Sequence, residues 1–163
     1  MKKALIFAGG LFALLASCAT GNTAKGTTTT INTLGGDSLD AIELVANIFG
    51  HERVRIARDS GGSLIVYADV KTVGQRAGSL LMTIDGERHT IIPTSGWSLT
   101  HVNGSTRDYS GMAFLSSEIV TGLMKAETVV LRSVVNWGGT AMSEGDGADI
   151  SMLLPQLKEF LAK

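Results

Sequence analysis

The sequence predicts an α+β domain, either an antiparallel β-meander or a sandwich-like curved sheet, with about three short helices at its edges. Three observations predict it. Apolar residues alternate with a period of two through most of residues 52–115. The turn groups Ser60-Gly61-Gly62, Asp85-Gly86 and Asn103-Gly104 cut that stretch at hairpin spacing. Helical spacing of apolar residues is confined to short segments near 37–50, 116–125 and 156–162.

In chain order, the first segment is an export signal. Lys2 and Lys3 precede thirteen uncharged, mostly apolar residues from Ala4 to Ala16, the charge and length pattern of a secretory signal peptide. At the helical rise such a run spans roughly 20 Å, short of the roughly 30 Å hydrocarbon core. A permanent span is therefore not expected. The run ends in Leu15-Ala16-Ser17-Cys18, which resembles the lipobox of bacterial lipoproteins: an aliphatic residue and two small ones before a cysteine. The resemblance covers residues 1–18 only. It implies cleavage before Cys18, a diacylglyceryl thioether on its sulfur and acylation of the freed amine, in a bacterial cell envelope. With Ala19 after the cysteine, it further implies the outer membrane, facing the periplasm, where the envelope has two membranes. More than one acyl chain is what stable anchoring takes, at about 0.8 kcal/mol per buried CH₂. Plain secretion with a free thiol, or an uncleaved core helix, are the competing readings.

Residues 18–36 predict an acylated cysteine and a flexible tether. Ala19–Gly36 holds seven Thr, four Gly and one charge, too little apolar surface to offset its ordering entropy, although Thr27–Leu34 has the composition of an edge strand. Residues 37–163 then form a single domain. It opens with a predicted amphipathic helix over Asp37–Gly50, in which Leu39, Ile42, Val45, Ala46 and Phe49 share a face. Strands follow at Arg53–Ile56, Ser63–Val70, a segment with Leu80, Met82 and Ile84, Glu87–Ile92, Trp97–Val102 and Thr106–Leu115. Ser116 or Ser117 with Glu118 opens a helix to Lys125, Glu127–Trp137 is a β-branched strand, and Gly138–Gly147 reads as loop. Ala148–Leu153 has strand character, and Pro155 suits the first turn of a final helix.

Composition excludes several function classes. The 14 basic and 15 acidic residues give a formal charge of −1, and loss of Lys2 and Lys3 with the signal leaves 12 against 15. No basic field is available to hold nucleic acid or an anionic membrane surface. One cysteine excludes an internal disulfide and any multi-cysteine metal site. No cofactor motif is present: the glycine groups lack the Lys-Ser/Thr ending of a phosphate loop, and Gly96-Trp97-Ser98-Leu99-Thr100 lacks the last glycine of a hydrolase elbow.

Weaker candidates remain. A hairpin across Thr94-Ser95-Gly96 would set His89 opposite His101 on one face, with Asp108, Asp85 or Glu87 as further metal or proton partners. His51 follows the first predicted helix, where the helix dipole favours it. Arg53, Arg55 and Arg58 form a basic strip, Trp97, Tyr109 and Trp137 a possible sugar-stacking set, and Ser143–Asp149 an acidic loop whose order departs from a calcium loop. The leading expectation is a membrane-anchored, non-catalytic binding or assembly module for an envelope protein or glycan. The alternatives are a small His-based or metal-dependent enzyme, a metal-binding protein, or an inhibitor of a cell-wall-degrading enzyme.

Overall fold

In a computed structural model, the described residues are 26–33, 36–44, 53–136, 142–145 and 147–163. The strands are β1 (Gly26–Asn32), β2 (Ser38–Leu44), β3 (Arg53–Arg58), β4 (Leu64–Val73), β5 (Arg76–Ile84), β6 (Glu87–Ile91), β7 (Ser98–Asn103), β8 (Thr106–Phe114), β9 (Val129–Asn136), β10 (Met142–Glu144) and β11 (Ala148–Asp149). The helices are α1 (Ser117–Lys125) and α2 (Leu154–Leu161), the latter preceded by a 3-10 turn at Ser151–Leu153. All strand pairs are antiparallel. One sheet has the order β1-β2-β3-β4-β8-β7 and the other β10-β9-β5-β6, with β11 beside β9. The α+β class holds, with two helices among the described residues where about three were expected.

Two expectations need correction. Ser38–Leu44, the first half of the expected helix, is a strand; residues 45–52, with the rest of it and His51, lie outside the described residues. The reason lies in its neighbours. β2 runs between β1 and β3, and both of its faces are covered. Ile42 and Leu44 enter the main core, while Leu39 and Ala41 join Ile31, Ala57 and Tyr67 in a small cluster on the opposite face. A strand covered on both sides needs apolar residues on both, and this blurs the period of two into something that mimics a helix. Its partner β1 occupies much of the segment read as a tether, as the edge strand that composition allowed.

The second correction concerns the middle of the chain, which is not one continuous meander. β6 pairs with β5, but β7 pairs with β8 in the other sheet. Between them Pro93, which has no N–H to continue a ladder, opens a turn held to the first sheet: Thr94 N donates to Met112 O (2.8 Å) and Gly96 N to Pro93 O (3.0 Å). Trp97 then enters the space between the sheets. Its Nε1 donates to the Gly78 carbonyl at 3.0 Å, at the bulge where β5 slips register against β9 between Ala77 and Ser79. A Cβ on Gly78 would stand 2.9 Å from the Val134 carbonyl oxygen, so the bulge takes glycine for lack of room. Gly111 on β8 is equally confined, because a Cβ there would meet Pro93 and the Trp97 ring at 2.7 and 2.9 Å.

One core joins both sheets and both helices. Ile56 and Val66 of the first sheet meet Met82 and Leu131 of the second, with Leu123 of α1 and Leu157 of α2. Side chains this deeply buried each contribute about 1.5–3 kcal/mol. The helices are secured at their ends. Ser116 Oγ accepts from Ile119 N (3.3 Å) at the start of α1, and Lys158 Nζ of α2 donates to Ala126 O (2.8 Å) at its end. Arg58 Nη2 donates to the carbonyls of Phe160 (3.3 Å) and Leu161 (3.0 Å), placing a cation at the carboxy end of α2, while its Nη1 donates to Gly62 O (3.2 Å).

Replacing Arg58 by Ala is expected to cost about 1.5–3 kcal/mol in urea unfolding, the range for hydrogen bonds to a charged group, with Lys recovering only part because it lacks the fork. Trp97→Phe removes the bond to Gly78 O and is expected to cost about 1–3 kcal/mol in the same measurement.

Candidate functional site

The outer face of the six-stranded sheet carries a cleft of about 750 Å³. Its lining comes from both edges of the sheet, Ile31–Thr33 from β1 and its following residue and Ser98 from β7, and from Arg55, Tyr67, Asp69 and Ser110 between them. Five strand spacings in a flat sheet would separate those edges by about 24 Å, so it is the coiling of the sheet that lets one hollow take walls from both.

The polar groups in this hollow are tied together. Arg55 Nη2 donates to Asp69 Oδ2 at 2.8 Å, and Ser110 Oγ donates to Asp69 Oδ1 at 2.6 Å. The register explains the chain: Tyr67 stands opposite Arg55 in β3, and Asp69 opposite Ser110 in β8. Arg53 lies 3.8 Å from Glu43, and Lys71 lies 4.0 Å from Asp108. Such partly exposed pairs are worth at most about 1 kcal/mol each. Their consequence is chemical. The basic strip read from Arg53, Arg55 and Arg58 is divided: Arg53 and Arg55 are paired with carboxylates and Arg58 is hydrogen-bonded to carbonyls of α2, so the face presents alternating donors and acceptors in place of a field of one sign. Arg55 Nε is buried and has no hydrogen-bond partner.

Cys18 lies outside the described residues. His89 and His101 do not face one another: His89 is opposite Met82 in one sheet and His101 opposite Asp108 in the other. The expected hairpin fails because the chain changes sheets at Pro93. His101 is exposed on β7, and its neighbour Asp108 is shared with Lys71. His89 is half-buried on the same side of β6 as Glu87, two residues earlier, and there a residue read only as a helix-start signal joins them. Glu118, in the first turn of α1, brings a carboxylate oxygen to a group in which the ligand atoms of Glu87, His89 and Glu118 all lie within 4.8 Å of one another. Sequence reasoning missed Glu118 because its position after Ser116 already has a local explanation in helix capping.

The other carboxylates are engaged locally. Asp85 has φ 47° and Gly86 φ 88°, the positive pair the hairpin signal required. Asp85 Oδ1 accepts from Glu127 N (2.9 Å), Thr128 N (2.7 Å) and Thr128 Oγ1 (3.2 Å), which binds the β5–β6 turn to the chain entering β9. The bonds from the Thr128 and Glu127 backbone hold its carboxyl below the ordinary range. In the acidic loop, Glu144 pairs with Arg88, and Asp149 accepts from the hydroxyl and the backbone N–H of Ser151 (2.8 Å for the latter), which lowers its pKa as well. Asp146 lies outside the described residues, as does Trp137 of the aromatic set; Tyr109 is buried and Trp97 is held by Gly78.

No protein-family model matches the chain, and no curated protein matches it. Among solved structures it is similar to invasion associated protein B from Bartonella henselae, with a TM-score of 0.48 and 10% identity over 86% of this chain and 94% of that one. No helix among the described residues is long and apolar enough to cross a membrane.

Because hydrogen bonds hold the Asp85 and Asp149 carboxyls below the ordinary carboxylate pKa in the folded state, the stability they contribute is complete above about pH 4 and is lost as pH falls through their folded values. Asp85→Asn is expected to lower the Tm at neutral pH. It should also flatten the decline of Tm between about pH 4 and pH 2, measured by calorimetry at constant ionic strength.

Proposed function

We propose that this protein is a lipid-anchored module of a bacterial cell envelope whose sandwich-like body binds another envelope component, a protein or glycan, through the cleft on the outer face of its six-stranded sheet. Residues 1–17 are the signal peptide in this reading, Cys18 carries the acyl chains, and the residues between Cys18 and β1 form the link to the lipid. The observation that carries the binding role is the cleft itself. Its donors and acceptors Arg55, Asp69 and Ser110 are hydrogen-bonded to one another, Tyr67 beside them is packed on the cluster of Ile31, Leu39, Ala41 and Ala57, and the hollow they line is open to solvent along one side. Preorganised polar groups of both signs recognise a neutral or mixed-charge surface at low ordering cost, which is what a binding module needs. A chain formally at −3 after processing has no electrostatic hold on anionic lipid, so the acyl chains carry the membrane attachment.

Fatty-acid labelling in cells is expected to mark the wild-type protein and not Cys18→Ala, with the mature chain beginning at Cys18. Equal labelling of the two overturns the anchor. A photocrosslinker at Ser98, on the wall of the cleft, is expected to capture a discrete envelope partner that the same probe at Glu159 on α2 does not. Identical capture from both positions overturns the cleft as the binding face.

A further inference from the structure

We propose that Glu87, His89 and Glu118 form a binding site for a zinc ion at the junction of β6 and α1, independent of the cleft and of the anchor. The three ligand atoms come from two elements and already lie within 4.8 Å of one another. Glu87 and His89 are two residues apart on an edge strand, so their side chains leave the same face, the one turned toward the core and α1. Glu118 reaches them from the first turn of α1. The helix is set against this face by contact between Gly122 and Ile84, where a Cβ on Gly122 would lie 3.4 Å from Ile84 Cδ1, and Ile84 is the register partner of Glu87. Helix, strand and turn are thus in a fixed relation, and the ligands need only side-chain rotation to converge.

That rotation is modest. Bonds of about 2.0–2.1 Å in a tetrahedral zinc site place ligand atoms about 3.3 Å apart. Glu87 and Glu118 are exposed and free to move in by the remaining distance, while the half-buried His89 is held by its strand. The donor set selects the metal class. One imidazole nitrogen with two carboxylate oxygens suits a borderline divalent ion such as zinc, whereas calcium takes six to eight oxygens and thiolate-seeking ions find no thiolate in this set. Two carboxylates brought together repel one another, and a divalent cation between them removes that repulsion. Three protein ligands leave one tetrahedral position open to water or to a donor from another molecule.

The test uses the full chain in detergent with Cys18→Ser, so that the thiol offers no competing ligand. Titration with zinc chloride in a calorimeter is expected to show one ion per chain, and the ring resonances of His89 are expected to shift while those of His101 stay in place. His89→Ala, and separately Glu118→Gln, should weaken binding by about tenfold or more, and His101→Ala should leave it unchanged. Unaltered Tm values in the metal-free variants show that folding is not the cause. The proposal is overturned by the lack of stoichiometric binding, by His89→Ala binding as the parent does, or by loss in His89→Ala with full retention in Glu118→Gln and Glu87→Gln, which would mean a lone histidine.

Discussion

The indole of Trp97 is the contact on which the arrangement of this protein turns. It is inserted between two sheets at the point where the chain passes from one to the other, it bonds to the Gly78 carbonyl at the β5 bulge, and it rests on a glycine of the opposite sheet. Each part requires the others. The bulge exists because Gly78 has no Cβ to strike Val134, the indole fits because Gly111 has none to strike the ring, and the turn at Pro93 aims the tryptophan inward. From this junction follow the separation of His89 from His101, the placement of Ser98 on the wall of the outer cleft, and the freedom of β6 to turn Glu87 and His89 toward α1.

Electrostatics follow the same division of labour. On the outer face of the six-stranded sheet acidic and basic side chains alternate, and they pair across strands, Lys71 with its register partner Asp108, and Glu43 with Arg53 and Arg55 with Asp69 on the diagonal. These pairs add little stability in solvent, but they orient long side chains and remove a net field from the face. At the other end, cations are spent on helix carbonyls, Lys158 on α1 and Arg58 on α2. The group of Glu87, His89 and Glu118 stands apart from this pattern, since two carboxylates meet there with an imidazole.

How legible the fold was depended on how local its causes were. While the Asn103-Gly104 signal is displaced by one residue, with Asn103 closing β7 and Gly104-Ser105 making the turn, the Asp85-Gly86 turn, the cap at Ser116 and the proline in the first turn of α2 arise from chemistry within four residues, and each stands where the sequence predicts it. β2 did not, because a strand covered on both faces loses the alternation that marks a strand, and only its neighbours β1 and β3 reveal the covering. β10 lay within an expected loop because a three-residue strand has no periodicity to read. Of the candidate sites, His89 was visible as a residue, but Glu118 is twenty-nine positions away in another element and no spacing rule connects the two.

By itself the amino-acid sequence determined the β-rich α+β class and the near balance of acidic and basic residues, and it carries the lipobox resemblance on which the proposed anchor rests, since each depends on composition or on short-range pattern. Tertiary structure alone decided which sheet each strand joins, that Arg53 and Arg55 of β3 are paired with carboxylates, and which carboxylates reach which histidine. The physical reason is distance along the chain. A turn or a cap is settled by the residues it contains, whereas the partner of a strand, an arginine or an imidazole is settled by segments dozens of residues away that only a shared core brings alongside.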